Sequence, residues 1–210
     1  ILQGMLVHLD VNRDITKRAV DEAMAEDSII FITSQKDDRV ELPLYSDVES
    51  IGVVARIRQV IKLEDNVIRI LVSTRHRGTL TALVQNEPFL MGDVVFYDKT
   101  VAAENIREIE YTAMCRDIKD MYTLYLGQNP SAGRSAYEKI QKENDLDILL
   151  DLIAMHIPMD LEKRQQVLEC FDVENRFYLV SEYLAREIDI LKIRADYKTK
   201  VKSEVDKNQK

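Results

Sequence analysis

Along the first hundred residues apolar side chains recur at every second position. Met5, Val7, Leu9 and Val11 alternate with Leu6, His8 and Asp10, the period of a strand that turns one face to a core. The stretch from Val53 to Thr74 predicts a hairpin. Val53, Ala55, Ile57 and Ile61 share one face of its first strand, Glu64–Asn66 form a short polar turn, and Val67–Thr74 is rich in β-branched residues. "SIIFITS" from Ser28, "GTLTALVQ" from Gly78 and "DVVFYD" from Asp93 predict further short strands. A single helix interrupts them over Asp14–Glu26, with Asp14 as N-cap and Val20, Ala23 and Met24 on the buried side.

After Lys99 the period changes to 3.6. Ile106, Ile109, Ala113, Ile118, Met121 and Tyr125 mark a helix that ends at Gly127, a residue suited to a left-handed C-terminal position. Gln128–Gly133 reads as a loop and Ser135–Glu143 as a short helix. Leu146, Leu149, Leu150, Ile153 and Ile157 form a compact apolar helix stopped by Pro158. A helix over Asp160–Phe171 precedes a long one whose apolar positions Val173, Phe177, Val180, Leu184, Ile188 and Leu191 recur every three or four residues. That stripe fades beyond Ile193. From Tyr197 onward only Tyr197, Val201 and Val205 are left to bury, so this end of the helix is expected to continue into, or lie against, something further. The fold class is therefore α+β: a mostly β domain over 1–100, then an α-helical bundle over 101–210 ending in a long protruding helix.

The formal charge of −8 is spread over both halves, so neither is a basic arm and phosphate-backbone binding is not indicated. Cys115 and Cys170 have no CxxC spacing and no neighbouring histidine, and read as reduced, partly buried thiols. No apolar run is long enough to span a bilayer and no signal segment opens the chain, which places it inside the cell.

The catalytic motifs are missing. There is no GxxxxGK[ST] phosphate loop, no GxSxG elbow, no HExxH helix and no GxGxxG turn. His8, His76 and His156 lack a second ligand or base at productive spacing, so no catalytic, cofactor-binding or metal-binding residue is assigned. Two stretches remain. "STRHRG" joins Arg75, His76 and Arg77 to Arg56, Arg58, Lys62 and Arg69 on the preceding hairpin: either a basic interaction surface or the solvated face of a half-exposed sheet. "NEPFLMG" clusters Phe89, Leu90 and Met91, either as a peptide-docking patch or as the buried start of a strand.

Taken in order, "GMLVHLDVNRD", "AVDEAMAEDSIIFITSQKD", "IGVVARIRQVIKLEDNVIRILV" with "RHRG", and "IPMDLEKRQQVLECFDVENRFYLVSEYLAREIDILK" resemble the amino-terminal region of the Lon ATP-dependent proteases over essentially the whole chain. The resemblance implies a PUA-like β domain, a helical bundle, selection of unfolded or degron-bearing proteins, and assembly as a homohexamer. It implies that ATP, Mg and the Ser/Lys protease dyad of the parent serine endopeptidase belong to other modules, so this stretch is no enzyme and needs no cofactor of its own. Phe89, Leu90 and Met91 become candidate substrate contacts, and Leu191, Val201 and Val205 mark the linker or assembly helix, where Val201 and Val205 have the spacing for a short intermolecular seam. A bacterial cytoplasm or an organelle matrix is the expected location. Only "ILQ" precedes Gly4 where the family carries a further strand, which predicts a shortened start and an uncovered sheet edge. The alternatives are a nucleic-acid-binding PUA-like module and a free-standing Lon-like adaptor.

Overall fold

The computed structural model describes residues 1–97, 106–129 and 135–208. The chain divides into two compact units. One holds Ile1–Ala102 with Leu161–Phe171, the other Ala103–Asp160 with Asp172–Lys210.

The first unit is built on a five-stranded antiparallel sheet. Its elements are β1 (Leu6–Val11), α1 (Asp14–Ala25), β2 (Ile29–Gln35), a 3-10 turn (Tyr45–Asp47), β3 (Val48–Lys62), β4 (Ile68–Gln85) and β5 (Met91–Phe96). The strand order is β1-β4-β3-β2, with β5 also beside β4. "GTLTALVQ" is thus not a separate strand but the second half of an 18-residue β4. The first half of β4 pairs with β1 and the second with β5, while β3 runs along its other side. The predicted polar turn joins β3 to β4. Asp65 and Asn66 both have positive φ, 57° and 58°, as a two-residue hairpin of matching twist requires.

Two bulges set which side chains face inward. Arg75 is an extra residue of β4 opposite the Val54–Ala55 step, and Arg58 an extra residue of β3 opposite Val72–Leu71. The inner face of β3 therefore runs Val53, Ala55, Ile57 and then Val60. Ile61, expected on that face, is turned outward because the bulge at Arg58 shifts the alternation by one. Ala55, Ile57, Ile70 and Val72 meet Val20 and Ala23 of α1 in one core. Met24 of α1 stays exposed, and Asp14 is the first helical residue rather than the cap. Arg13 holds the cap position, and its guanidinium reaches the Gln35 side chain and the Val40 carbonyl, both at 2.9 Å.

The start of the chain and α5 (Leu161–Glu169) complete this unit. Leu2 is fully buried, and Thr74 donates its hydroxyl to the Leu2 carbonyl at 2.8 Å while accepting from the Met5 amide at 2.7 Å. Ile1–Gln3 form no strand, and β1 has a strand partner on one side only among the described residues. On α5, Val167 and Leu168 are buried, and Gln165 donates to the Ile51 carbonyl at 3.1 Å. Tyr97 donates to the Phe171 carbonyl at 2.6 Å, with the two rings 4.8 Å apart. The expected boundary at 100/101 falls outside the described residues, yet α5 joins the sheet and not the helices that flank it in sequence.

The second unit comprises α2 (Glu108–Gln128), α3 (Ser135–Lys142), α4 (Leu146–His156) and α6 (Val173–Asn208). Leu146, Leu149, Leu150 and Ile153 of α4 are fully buried, and α6 contributes Val173, Val180, Leu184 and Ile188. At roughly 1.5–3 kcal/mol for each such side chain, this apolar core holds the unit together. The buried stripe of α2 is Cys115, Ile118, Tyr122 and Tyr125. Ile109, expected within it, lies nine residues before Ile118. Nine residues are half a turn out of phase, and Ile109 is 74 % exposed. Gly127 does not end α2, whose cap is Asn129. The 130–133 part of the predicted loop lies outside the described residues.

One charged group sits inside this apolar core. Arg176 of α6 has no exposed surface, and it pairs with Asp147 and, at 3.8 Å, with Asp151, both buried and one turn apart on α4. A cation out of water is tolerated only when opposite charge accompanies it.

A Cβ on Gly52 would stand 2.4 Å from the Ile32 carbonyl oxygen, whereas one on Gly127 would meet nothing within 4 Å. In urea melts Gly52→Ala should lose about 1–3 kcal/mol, and Gly127→Ala should gain roughly 0.5–1 kcal/mol by favouring the helix. Arg176→Met should lose about 3–5 kcal/mol by leaving two buried carboxylates without their cation. Replacing Asp147 and Asp151 by Leu in the same chain should restore most of that stability.

Candidate functional site

The residues that sequence reasoning singled out for chemistry are scattered. His8 is exposed on β1 and His76 is exposed on β4, while His156 at the end of α4 has its Nδ1 2.7 Å from the Leu152 carbonyl oxygen. Among the described residues no three His, Cys, Asp or Glu side chains gather where they would hold a metal ion. Burial pushes the Cys115 thiol up from its ordinary range, which disfavours the thiolate a nucleophile needs. Its Sγ lies 3.7 Å from the Asn144 carbonyl oxygen.

The basic cluster is also divided. Arg77 is completely buried at the centre of β4. Arg69 is gripped by Asp10 across the β1–β4 ladder through two hydrogen bonds of 2.6 and 2.7 Å, and these hold the Asp10 carboxyl below the usual carboxylate range. Arg58 and Arg75 stand exposed at the two bulges, and Arg56 is half-buried.

Phe89, Leu90 and Met91 lie where β4 returns into β5. Phe89 and Leu90 are half-buried, the Phe89 carbonyl accepts from Gln85 Nε2 at 2.9 Å, and Met91 is exposed as the first residue of β5. They are accompanied by Val84, Val95 and Phe96, all more than half exposed. Leu42, Leu44 and Tyr45, in and before the 3-10 turn, are exposed as well, and the Tyr45 hydroxyl donates to the Leu80 carbonyl at 3.0 Å. Of the linker residues, Leu191 is half-buried on the packed stripe of α6 and Val201 is exposed. The Val205 side chain is outside the described residues. Ile193 and Tyr197, exposed too, lie roughly half a turn round α6 from Leu191, on the side away from the packed stripe.

Sequence reasoning missed the outer face of the sheet. Residues paired across an antiparallel ladder share a face, so Phe31, Val54 and His76 form one row of it and Gly52, Gly78 and Phe96 the next. A Cβ on Gly52 would lie 2.6 Å from the Phe31 ring and one on Gly78 3.5 Å from it. The ring therefore lies over the paired glycines, as aromatic side chains do over gaps in a sheet. His76 meets Phe96 edge-on, with centroids 6.3 Å apart. Two glycines inside otherwise β-branched strands were the available signal, since a strand glycine marks close approach of another group.

The family described as "ATP-dependent protease La (LON) substrate-binding domain" matches residues 1–186. A Lon protease of Lachnoclostridium phytofermentans is 33 % identical over 210 residues, all of this chain and 26 % of that protein. A Lon protease of Clostridioides difficile is 30 % identical, again over the whole chain and 27 % of its own length. The chain thus spans about a quarter of the curated relatives it matches. Among solved structures, the N-terminal domain of a Mycobacterium avium complex Lon protease has a similar fold. The TM-score is 0.71 at 20 % identity, covering 88 % of this chain and 92 % of that one.

Proposed function

The chain belongs to the family of LON substrate-binding domains, and from that premise we propose that it selects unfolded or degron-bearing polypeptides for an ATP-dependent serine protease. The observation that carries this reading is the exposure of apolar side chains along β4 and β5, namely Val84, Met91, Val95 and Phe96, with Val95 and Phe96 on opposite faces of β5. Apolar groups on one ladder offer the non-specific attraction that a receptor for unfolded chains needs, and a sheet edge with no strand beside it can add main-chain hydrogen bonds. Phe89, Leu90 and Met91 act in this reading as the rim of that surface.

The parent protein is proposed to assemble as a homohexamer, with ATP, Mg and a Ser/Lys dyad handled by its other modules, in a bacterial cytoplasm. Among the described residues no helix is long and apolar enough to cross a membrane. The exposed Ile193, Tyr197 and Val201 along α6 support a role for that helix in contacts between copies. A nucleic-acid-binding role draws less support, because Arg77 is buried and Arg69 is engaged by Asp10.

Titration of a reduced, carboxymethylated and permanently unfolded protein against the chain tests this reading. Binding in the micromolar range is expected, with no ATP hydrolysis. Phe89→Ser combined with Leu90→Ser should weaken binding several-fold while the melting temperature stays within about 2 °C. A large loss of melting temperature would instead make both residues core. Failure of the unmodified chain to bind the unfolded protein would overturn the reading.

A further inference from the structure

The strand register arranges the outer face of the sheet in rows. Ile29, Arg56, Ser73 and Leu6 lie side by side across β2, β3, β4 and β1, next to the row of Phe31, Val54 and His76. With strands about 4.8 Å apart and about 6.6 Å between alternate residues of a strand, Arg56 lies within side-chain reach of Leu6, Ile29, Phe31 and Val54, with Ser73 opposite it. Leu6 is 67 % exposed, and Ile29 and Phe96 are exposed as well.

Arg56 is half-buried, and its Nε is shut off from water without a hydrogen-bond partner. Several arginines of this unit's surface are held: Arg13 by Gln35 and the Val40 carbonyl, Arg39 by Asp37 and Arg69 by Asp10. Arg56, Arg58 and Arg75 make no hydrogen bond or ion pair among the described residues. Asp10 is taken up by Arg69, and Asp27 accepts from the Ile29 amide at 2.8 Å. The result is a half-buried cation with apolar side chains beside it, its Nε out of water and no anion meeting it among the described residues. A guanidinium so placed favours a planar, bidentate anion, and its apolar neighbours favour a ligand with large side chains on either side of that anion.

We propose that this face docks an extended polypeptide segment in which a carboxylate side chain is flanked by large apolar residues. The carboxylate meets Arg56, with Arg58 and Arg75 adding attraction from the bulges, while the apolar side chains settle on Leu6, Ile29, Phe31 and Phe96. The inference rests on the reading of the unit as a polypeptide receptor and adds the class of sequence it selects. Nucleic acid fits this face poorly: it has three unengaged arginines rather than a track of cations, and Leu6, Ile29, Phe31 and Phe96 lie around them.

The test uses the full chain and fluorescein-labelled, C-terminally amidated 12-residue peptides, followed by anisotropy. One peptide carries two Glu among Leu and Phe, a second has Gln in place of Glu, and a third has Lys. The Glu peptide should bind roughly fivefold more tightly than the Gln peptide, and the Lys peptide most weakly. Arg56→Gln should abolish the Glu-over-Gln preference and leave the Gln peptide's affinity nearly unchanged, whereas Phe96→Ser should weaken both. Should Arg56→Gln fail to fold, Arg58→Gln with Arg75→Gln, both at exposed positions, should still reduce the preference. Equal binding of the Glu and Gln peptides would overturn this inference while leaving the receptor role intact. Displacement of the Glu peptide by an equimolar 12-nucleotide oligothymidylate would also overturn it. Absence of binding by any peptide would overturn both readings together.

Discussion

The pairing of β3 with β4 governs everything the first unit presents to its surroundings. A strand has no freedom to rotate one side chain inward without rotating its neighbour outward, so the register of a ladder decides both faces at once. Here the register is interrupted twice, at Arg75 and at Arg58, each time by a residue unsuited to a core. Between the interruptions Ala55 and Ile57 face α1, while Arg56 is delivered to the outer face among Ile29, Leu6 and Phe31. The glycine pair beneath the Phe31 ring depends on the same register. The apolar outer face and its cation are therefore one consequence of strand pairing, not two separate features.

The second unit meets a different constraint. Arg176 sits in the stripe of α6 between Val173 and Val180 and has no access to water. Asp147 and Asp151 answer it from successive turns of α4, so the ion cluster fixes the rotation and axial position of α4 against α6 more tightly than interchangeable Leu and Ile contacts would. Apolar burial supplies the cohesion, and the charges tie successive turns of α4 to one position on α6.

The sequence made the change of period near residue 100, the turn at Glu64–Asn66 and the stripes of α4 and α6 readable, because each is a local pattern. What escaped it depends on partners distant in sequence. Ile61 follows the alternation of β3 until a bulge, visible only once β4 is paired, turns it outward. Arg176 and the two aspartates carry the residue types of a solvated surface, and only their mutual contact makes burial tolerable. The grouping of Phe31, Arg56, His76 and Phe96 draws on several strands, so no window of the chain displays it. Phe89, Leu90 and Met91 were visible because they are contiguous, which is a property of the sequence and not of the surface.

The return of Leu161–Phe171 to the sheet unit has a consequence for how the protein is made. A chain leaving the ribosome presents β1 to β5 long before the helix that packs on β3, and in the interval it must synthesise α2, α3 and α4 of the other unit. Until Phe171 emerges, the nascent sheet lacks Val167 and Leu168 and keeps in water the surface they cover. The two units therefore do not mature one after the other in the order of their strands and helices: the first to begin has to wait for a piece embedded in the second.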